Sequence, residues 1–91
     1  MTLVEQRIYN RAAQAYKKYG YELYEDEATG ICTCKVSERD DDVIITVNPK
    51  FPEAEEFFDI IIDFEDELYA EEFEVIDSRY FYNKYIIKVK K

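Results

Sequence analysis

Apolar residues in this chain change their period along the sequence, from that of a helix to that of a strand and back again, and this alternation confines the fold to a mixed helix and sheet architecture. Val4, Ile8, Ala12, Ala15 and Tyr19 lie on one helical face. Thr2 and Glu5 have the spacing of a capping box, and Gly20 is placed to end the element. The spacing predicts a helix over about residues 3 to 19.

Period two follows. Tyr21 and Leu23 flank Glu22, Glu27-Ala28-Thr29-Gly30 supplies a hairpin loop, and Ile31 to Val36 reads as the returning strand. Ser37 to Asp42 is a polar turn before Val43-Ile44-Ile45-Thr46-Val47, the most β-prone run in the chain. These segments predict a three-stranded meander.

Asn48-Pro49 breaks that strand, and Pro52 fits the first turn of a second helix, with Glu53 and Glu55 near its positive end. Ala54, Phe57, Ile61, Phe64 and Leu68 fall on one stripe, opposite Glu55, Glu56, Asp59, Asp63, Asp66 and Glu67. A strand through Phe58, Ile60, Ile62 and Phe64 also alternates, but the length of the pattern favours the helix. The Tyr- and Ile-rich tail from about Phe73 to Lys91, with a turn at Asp77-Ser78-Arg79, predicts two further strands. The expected order is αβββαββ in one α+β domain over residues 1–91, with an antiparallel sheet of about five strands packed on two helices. No internal repeat is visible.

Composition narrows the function. With 47% hydrophobic residues, two Gly and two Pro, the chain has enough apolar material for one modest core. Its longest apolar runs, such as Ile60-Ile61-Ile62, fall far short of the roughly 20 residues of a membrane span, and the first residues lack a signal peptide's pattern, so a cytoplasmic location and no membrane partner are expected. There is no histidine, the usual general acid and base near neutral pH. No phosphate loop, nucleophile elbow or dinucleotide fingerprint is present either, so the expectation is a protein that is not an enzyme and carries no cofactor. Cys32 and Cys34 lie too close along a strand for an unstrained disulfide and have no companion ligands, so they read as small buried hydrophobes. Asp40-Asp41-Asp42, Asp59 with Asp63, and Glu65-Asp66-Glu67 are the places where carboxylates alone could meet a hard cation. None has the pattern of a calcium loop, and no metal site is assigned.

Charge is the most distinctive feature. The net charge is −9, about half of the 21 acidic residues lie between Glu53 and Glu74 without a single Lys or Arg, and Arg79 to Lys91 holds cations without an acid. An acidic surface helix keeps a small protein soluble. The same row also presents a field that attracts the cationic groove of a nucleic-acid-handling protein. Direct nucleic-acid binding is disfavoured, because phosphate attraction dominates such affinity. Short, acidic, Tyr-rich and α+β, the chain resembles in general type the phage-encoded inhibitors of host defence, including anti-CRISPR proteins and DNA mimics, and the nuclease immunity proteins. That resemblance is one of composition, covers no motif and carries over no functional residue. The expected function is a binding protein that blocks a partner with a basic, nucleic-acid-binding surface through Glu55, Glu56, Asp59, Asp63, Asp66 and Glu67. The alternative is an assembly protein that forms a homodimer through a C-terminal edge strand, since an unpaired edge can template a second chain.

Overall fold

The computed structural model describes residues 1–91. Helix α1 runs Leu3–Lys17 and α2 runs Phe57–Ala70. Strands β3 (Cys34–Glu38), β4 (Asp42–Val47), β5 (Glu74–Phe81) and β6 (Lys84–Lys90) form a four-stranded antiparallel sheet in the order β3-β4-β6-β5. Strands β1 (Glu25–Asp26) and β2 (Ile31–Cys32) form a separate two-stranded ribbon. The class is α+β, as the periodicity predicts, but the strands divide between two sheets.

The capping box at the start of α1 is made as read: Thr2 Oγ1 accepts from the Glu5 N–H and the Glu5 carboxylate accepts from the Thr2 N–H. The regular helix closes through Gly20 at φ +86°, with Tyr21 N–H donating to the Tyr16 carbonyl and Gly20 N–H to that of Lys17. Ile8, Ala12 and Ala15 are buried as their spacing requires, whereas the fully buried tyrosine is Tyr16 and Tyr19 is only half-buried.

Four expectations need correction. The predicted strand at Tyr21 to Leu23 does not form, and the run from Ile31 to Val36 is split at Thr33. Thr33 is buried, its N–H donates to the Tyr24 carbonyl, its own carbonyl accepts from Asn48, and its hydroxyl bonds the Tyr24 N–H and the Phe51 carbonyl. The chain therefore leaves the ribbon and joins the main sheet at this residue. The same contacts explain why α2 does not begin at Pro52. Phe51 is held by Thr33 and stacked on Tyr24, and Asn48 Oδ1 accepts from the Lys50 N–H, so residues 48–53 are tied into a turn and the helix starts at Phe57.

The predicted turn at Asp77-Ser78-Arg79 lies inside β5, and the chain reverses instead at Tyr82-Asn83, both at positive φ, between the paired Phe81 and Lys84. The fourth correction concerns the sheet edge. The C-terminal strand β6 pairs with β4 on one side and β5 on the other, so it offers no free edge, and the expected homodimer contact cannot form there. The free edge on that side is β5. A bulge between Val75 and Asp77 and the Asp77 carboxylate, which accepts from the Ser78 N–H, interrupt its outward ladder.

The topology also contains a repeat that the sequence does not announce. Apart from the β1-β2 ribbon inserted in the first, each half is a helix followed by a hairpin, and the register of the central strands β4 and β6 is symmetric about the Ile45 and Ile87 pair. Val43-Ile44-Ile45-Thr46-Val47 maps onto Tyr85-Ile86-Ile87-Lys88-Val89, and the Glu38 to Val43 pair of one hairpin maps onto Tyr80 to Tyr85 of the other. Both helices cover one face of the sheet. The core between the layers includes Ile8, Tyr16, Ile45, Ile60, Phe64, Leu68 and Ile87, all nearly inaccessible. Burying side chains of this size contributes roughly 1.5–3 kcal/mol each. Lys35, Lys84, Lys88 and Lys90 alternate outward on the opposite face, so the acidic and basic halves of the tail become an acidic helix layer and a lysine-bearing open sheet face.

Candidate functional site

The acidic helix face divides into two rows because α1 lies antiparallel beside α2. Glu56, Asp63 and Glu67 point into the seam between the helices. Glu56 accepts from the Tyr21 hydroxyl at 3.2 Å and Asp63 from that of Tyr19 at 2.8 Å, with the Lys18 ammonium 3.8 Å from Asp63. Arg11 donates from Nη1 to Glu67 and from Nε to Glu71 at 2.8 Å, while Arg7 meets the other oxygen of Glu71 at 2.7 Å and stacks over Phe73. Glu71, absent from the sequence-derived row, is the most heavily engaged carboxylate of the seam. Hydrogen bonds from Arg7 and then Arg11 hold its carboxyl below the usual range, and the hydrogen bond to Asp63 raises the Tyr19 hydroxyl above its usual value.

Glu55, Asp59 and Asp66 form the second row. Their side chains face solvent and their carboxylates make no hydrogen bond or ion pair, and Glu53, like Glu55 in the turn before α2, joins them. The six acids proposed from the sequence therefore do not act as one surface. Three are held by Arg11 on α1 or by Lys18, Tyr19 and Tyr21 just beyond its end, and three, with Glu53, remain as uncompensated charge. The cause is geometric: a helix in a two-layer fold has a flank facing its neighbouring helix, and a carboxylate on that flank can meet Arg or Tyr there rather than water.

Beside the outer row runs an apolar strip that the binary pattern conceals. Phe58, Ile62 and Tyr69 are each more than half exposed, at 61%, 58% and 56%. The strip borders β5, because Glu65, on the same flank, accepts from the Ser78 hydroxyl at 2.7 Å and Ser78 in turn bonds the Tyr85 hydroxyl. Phe58 stands edge-on to Phe57 and Tyr85 at centroid distances of 5.4 and 6.3 Å. A cleft of about 460 Å³ opens between the start of α2 and β5, floored by Ala54, Phe57 and Phe58, walled by Tyr80, and rimmed by Lys50, Glu53 and Glu55. The signal in the sequence was Phe58-x-x-x-Ile62, an apolar pair off the core stripe.

Each carboxylate group considered as a cation site has at least one member that is otherwise occupied. Asp42 lies 2.9 Å from Arg39 Nε and 3.4 Å from Lys88 Nζ, Asp63 is held by Tyr19, and Glu65 and Glu67 by Ser78 and Arg11. No group of three or more potential ligands converges on one point. Cys34 is buried and its thiol is pushed up to about 12, chiefly by burial, while Cys32 is half-buried in the ribbon; both are free. No helix is long and apolar enough to cross a membrane. Comparison with protein-family models and with curated proteins finds no match for this chain.

Proposed function

We propose that this chain is a non-enzymatic acidic binding protein that blocks a protein partner with a basic, nucleic-acid-binding surface, in the manner of a phage-encoded inhibitor of host defence, such as an anti-CRISPR protein or DNA mimic, or of a nuclease immunity protein. The observation that carries this reading is the outer row of α2. Asp59 and Asp66 are fixed on a rigid helix and Glu55 stands in the turn just before it; all three carboxylates are free of internal partners and lie within a segment that has no cation from Glu53 to Glu74. Fixed charges that need no reorganisation attract an oppositely charged groove and raise the encounter rate. The lysines of β6 do not cancel this field, because they sit on the other side of the sheet. Glu56, Asp63 and Glu67 support the surface indirectly, by docking α2 against α1.

The test is affinity capture from the source cell at low salt, followed by a competition assay. The expected result is retention of a basic protein whose nucleic-acid binding falls in the presence of this chain and recovers when Glu55, Asp59 and Asp66 are replaced by Lys. Retention of that protein by the Lys-substituted chain with unchanged affinity contradicts the reading.

A further inference from the structure

Resting on that reading, we propose that the cleft between α2 and β5 seats one apolar anchor side chain of a cationic protein segment, with Phe58 and Tyr80 holding the anchor and Glu53, Glu55 and Asp59 meeting the Lys or Arg residues beside it. Charge alone does not account for this part of the surface. Phe58 and Ile62 face solvent in the N-terminal half of an acidic helix, where a purely solubilising face would be polar, and Tyr80 is half exposed across the cleft from Phe58. The cleft is also built rather than open by accident. The aromatic contacts of Phe58 with Phe57 and Tyr85 hold its ring, and the Glu65, Ser78 and Tyr85 hydrogen bonds fasten α2 to β5 along one side. A site ordered in advance loses less conformational entropy on binding.

Charge complementarity selects the occupant. Glu53 and Glu55 outnumber Lys50 on the rim of the apolar floor, Asp59 follows Phe58 in the chain, and these three carboxylates lack internal partners, so an incoming segment that combines an apolar side chain with neighbouring cations satisfies both features. A second copy of this chain does not. In a two-fold dimer the patch meets itself, which sets these carboxylates against their own equivalents. A nucleic acid is repelled by the same groups. The division of labour follows: the carboxylates act on encounter and the aromatic cleft on residence, as expected when buried aromatic anchors dominate dissociation.

The test uses two synthetic peptides as probes on the full chain, one a short Arg-rich segment with a single central Leu and the other identical except for Ser in place of Leu. Amide shifts are followed by two-dimensional NMR at about 0.01 M ionic strength. The Leu peptide is expected to shift the amides of Ala54, Phe58 and Tyr80 and to bind at least about tenfold more tightly than the Ser peptide, the worth of one modestly buried aliphatic group. Phe58→Ser is expected to erase that difference while leaving the weak, salt-sensitive binding of both. Tyr80→Ser serves as the second variant, and the spectra themselves report whether either remains folded. Equal binding of the two peptides overturns the cleft but leaves the electrostatic reading standing. Absence of binding by either peptide removes both, and concentration-dependent self-association through Phe58 assigns the strip to a second copy and overturns the proposal.

Discussion

Arg11 on α1 joins two carboxylates one turn apart at the C-terminal end of α2, its Nε 2.8 Å from Glu71, the capping residue, and its Nη1 on Glu67. Lys cannot reproduce this fork, because its ammonium is a single point of charge. Arg11→Lys and Arg11→Ala are both expected to lower the denaturant midpoint, Ala more than Lys. The loss should shrink in high salt, since the network is solvent-accessible and screened. Urea titrations at two salt concentrations check this.

Glu71 makes stability depend on pH. Its carboxyl is held below the ordinary glutamate value by Arg7 and Arg11. Glu5 behaves in the same way, because its carboxylate accepts the N–H groups of Glu38 and Thr2. A carboxyl whose pKa falls on folding contributes its full stabilisation above the unfolded value, about 4.3, and loses it as the pH drops through the lower folded value. The acid limb of a stability profile should therefore fall below about pH 4.5. Glu71→Gln should lower stability near neutral pH and flatten that limb, as read from urea midpoints across the range.

The Tyr16 ring is buried and its hydroxyl has no hydrogen-bond partner. Desolvation raises that hydroxyl's pKa above the ordinary tyrosine value. An unpartnered buried polar group costs roughly 1–3 kcal/mol, so Tyr16→Phe is expected to leave the fold intact and raise stability by about 1 kcal/mol. Thermal unfolding checks it, and a clear loss of stability contradicts it.

Both helices end in the same hydrogen-bonded loop, but with different residues at the left-handed position. Gly20 occupies it after α1, whereas Glu72 does so after α2 at φ +69°, with Phe73 N–H donating to the Leu68 carbonyl. A side chain there is strained, so Glu72→Gly should stabilise the protein by about 0.5–1 kcal/mol despite the greater freedom it gives the unfolded chain. Chemical denaturation gives the sign directly.

These sites also mark the boundary of what local sequence conveys. The Thr2 and Glu5 box, Gly20 and the core stripe of α2 were legible because each depends on residues within a turn or two of itself. Pro52 misled because Thr33, distant in sequence, holds Phe51 in a turn and delays the helix. The central position of β6 was hidden for a similar reason: strand order depends on partners far along the chain, and the short Val43 to Val47 and Tyr85 to Val89 match is too small to reveal a repeat. The candidate site was half legible. Glu55, Asp59 and Asp66 stand free, but a helical wheel does not show that Arg11 on α1, and Tyr19 and Tyr21 just beyond its end, come to occupy Glu67, Asp63 and Glu56.

That split separates Asp59 from Asp63, which the sequence places together. Asp59→Asn is expected to leave stability unchanged, as for a free surface group. Asp63→Asn replaces the anion facing the Tyr19 hydroxyl and Lys18, and is expected to lower the midpoint. Parallel melts of the two single variants decide between one acidic face and two.

The most direct measurement of the central claim is the association rate with the captured partner as a function of salt, for the wild type and for the Glu55→Gln, Asp59→Asn, Asp66→Asn triple variant. As the screening length falls from about 30 Å at 0.01 M to about 8 Å at 0.15 M ionic strength, the wild-type on-rate should drop by about tenfold or more while dissociation changes little. The triple variant should start slower and show a flatter salt slope, with its unfolding midpoint unmoved. An on-rate and salt slope identical to the wild type's would contradict the account, because the outer row of α2 would then not be the surface that meets the partner.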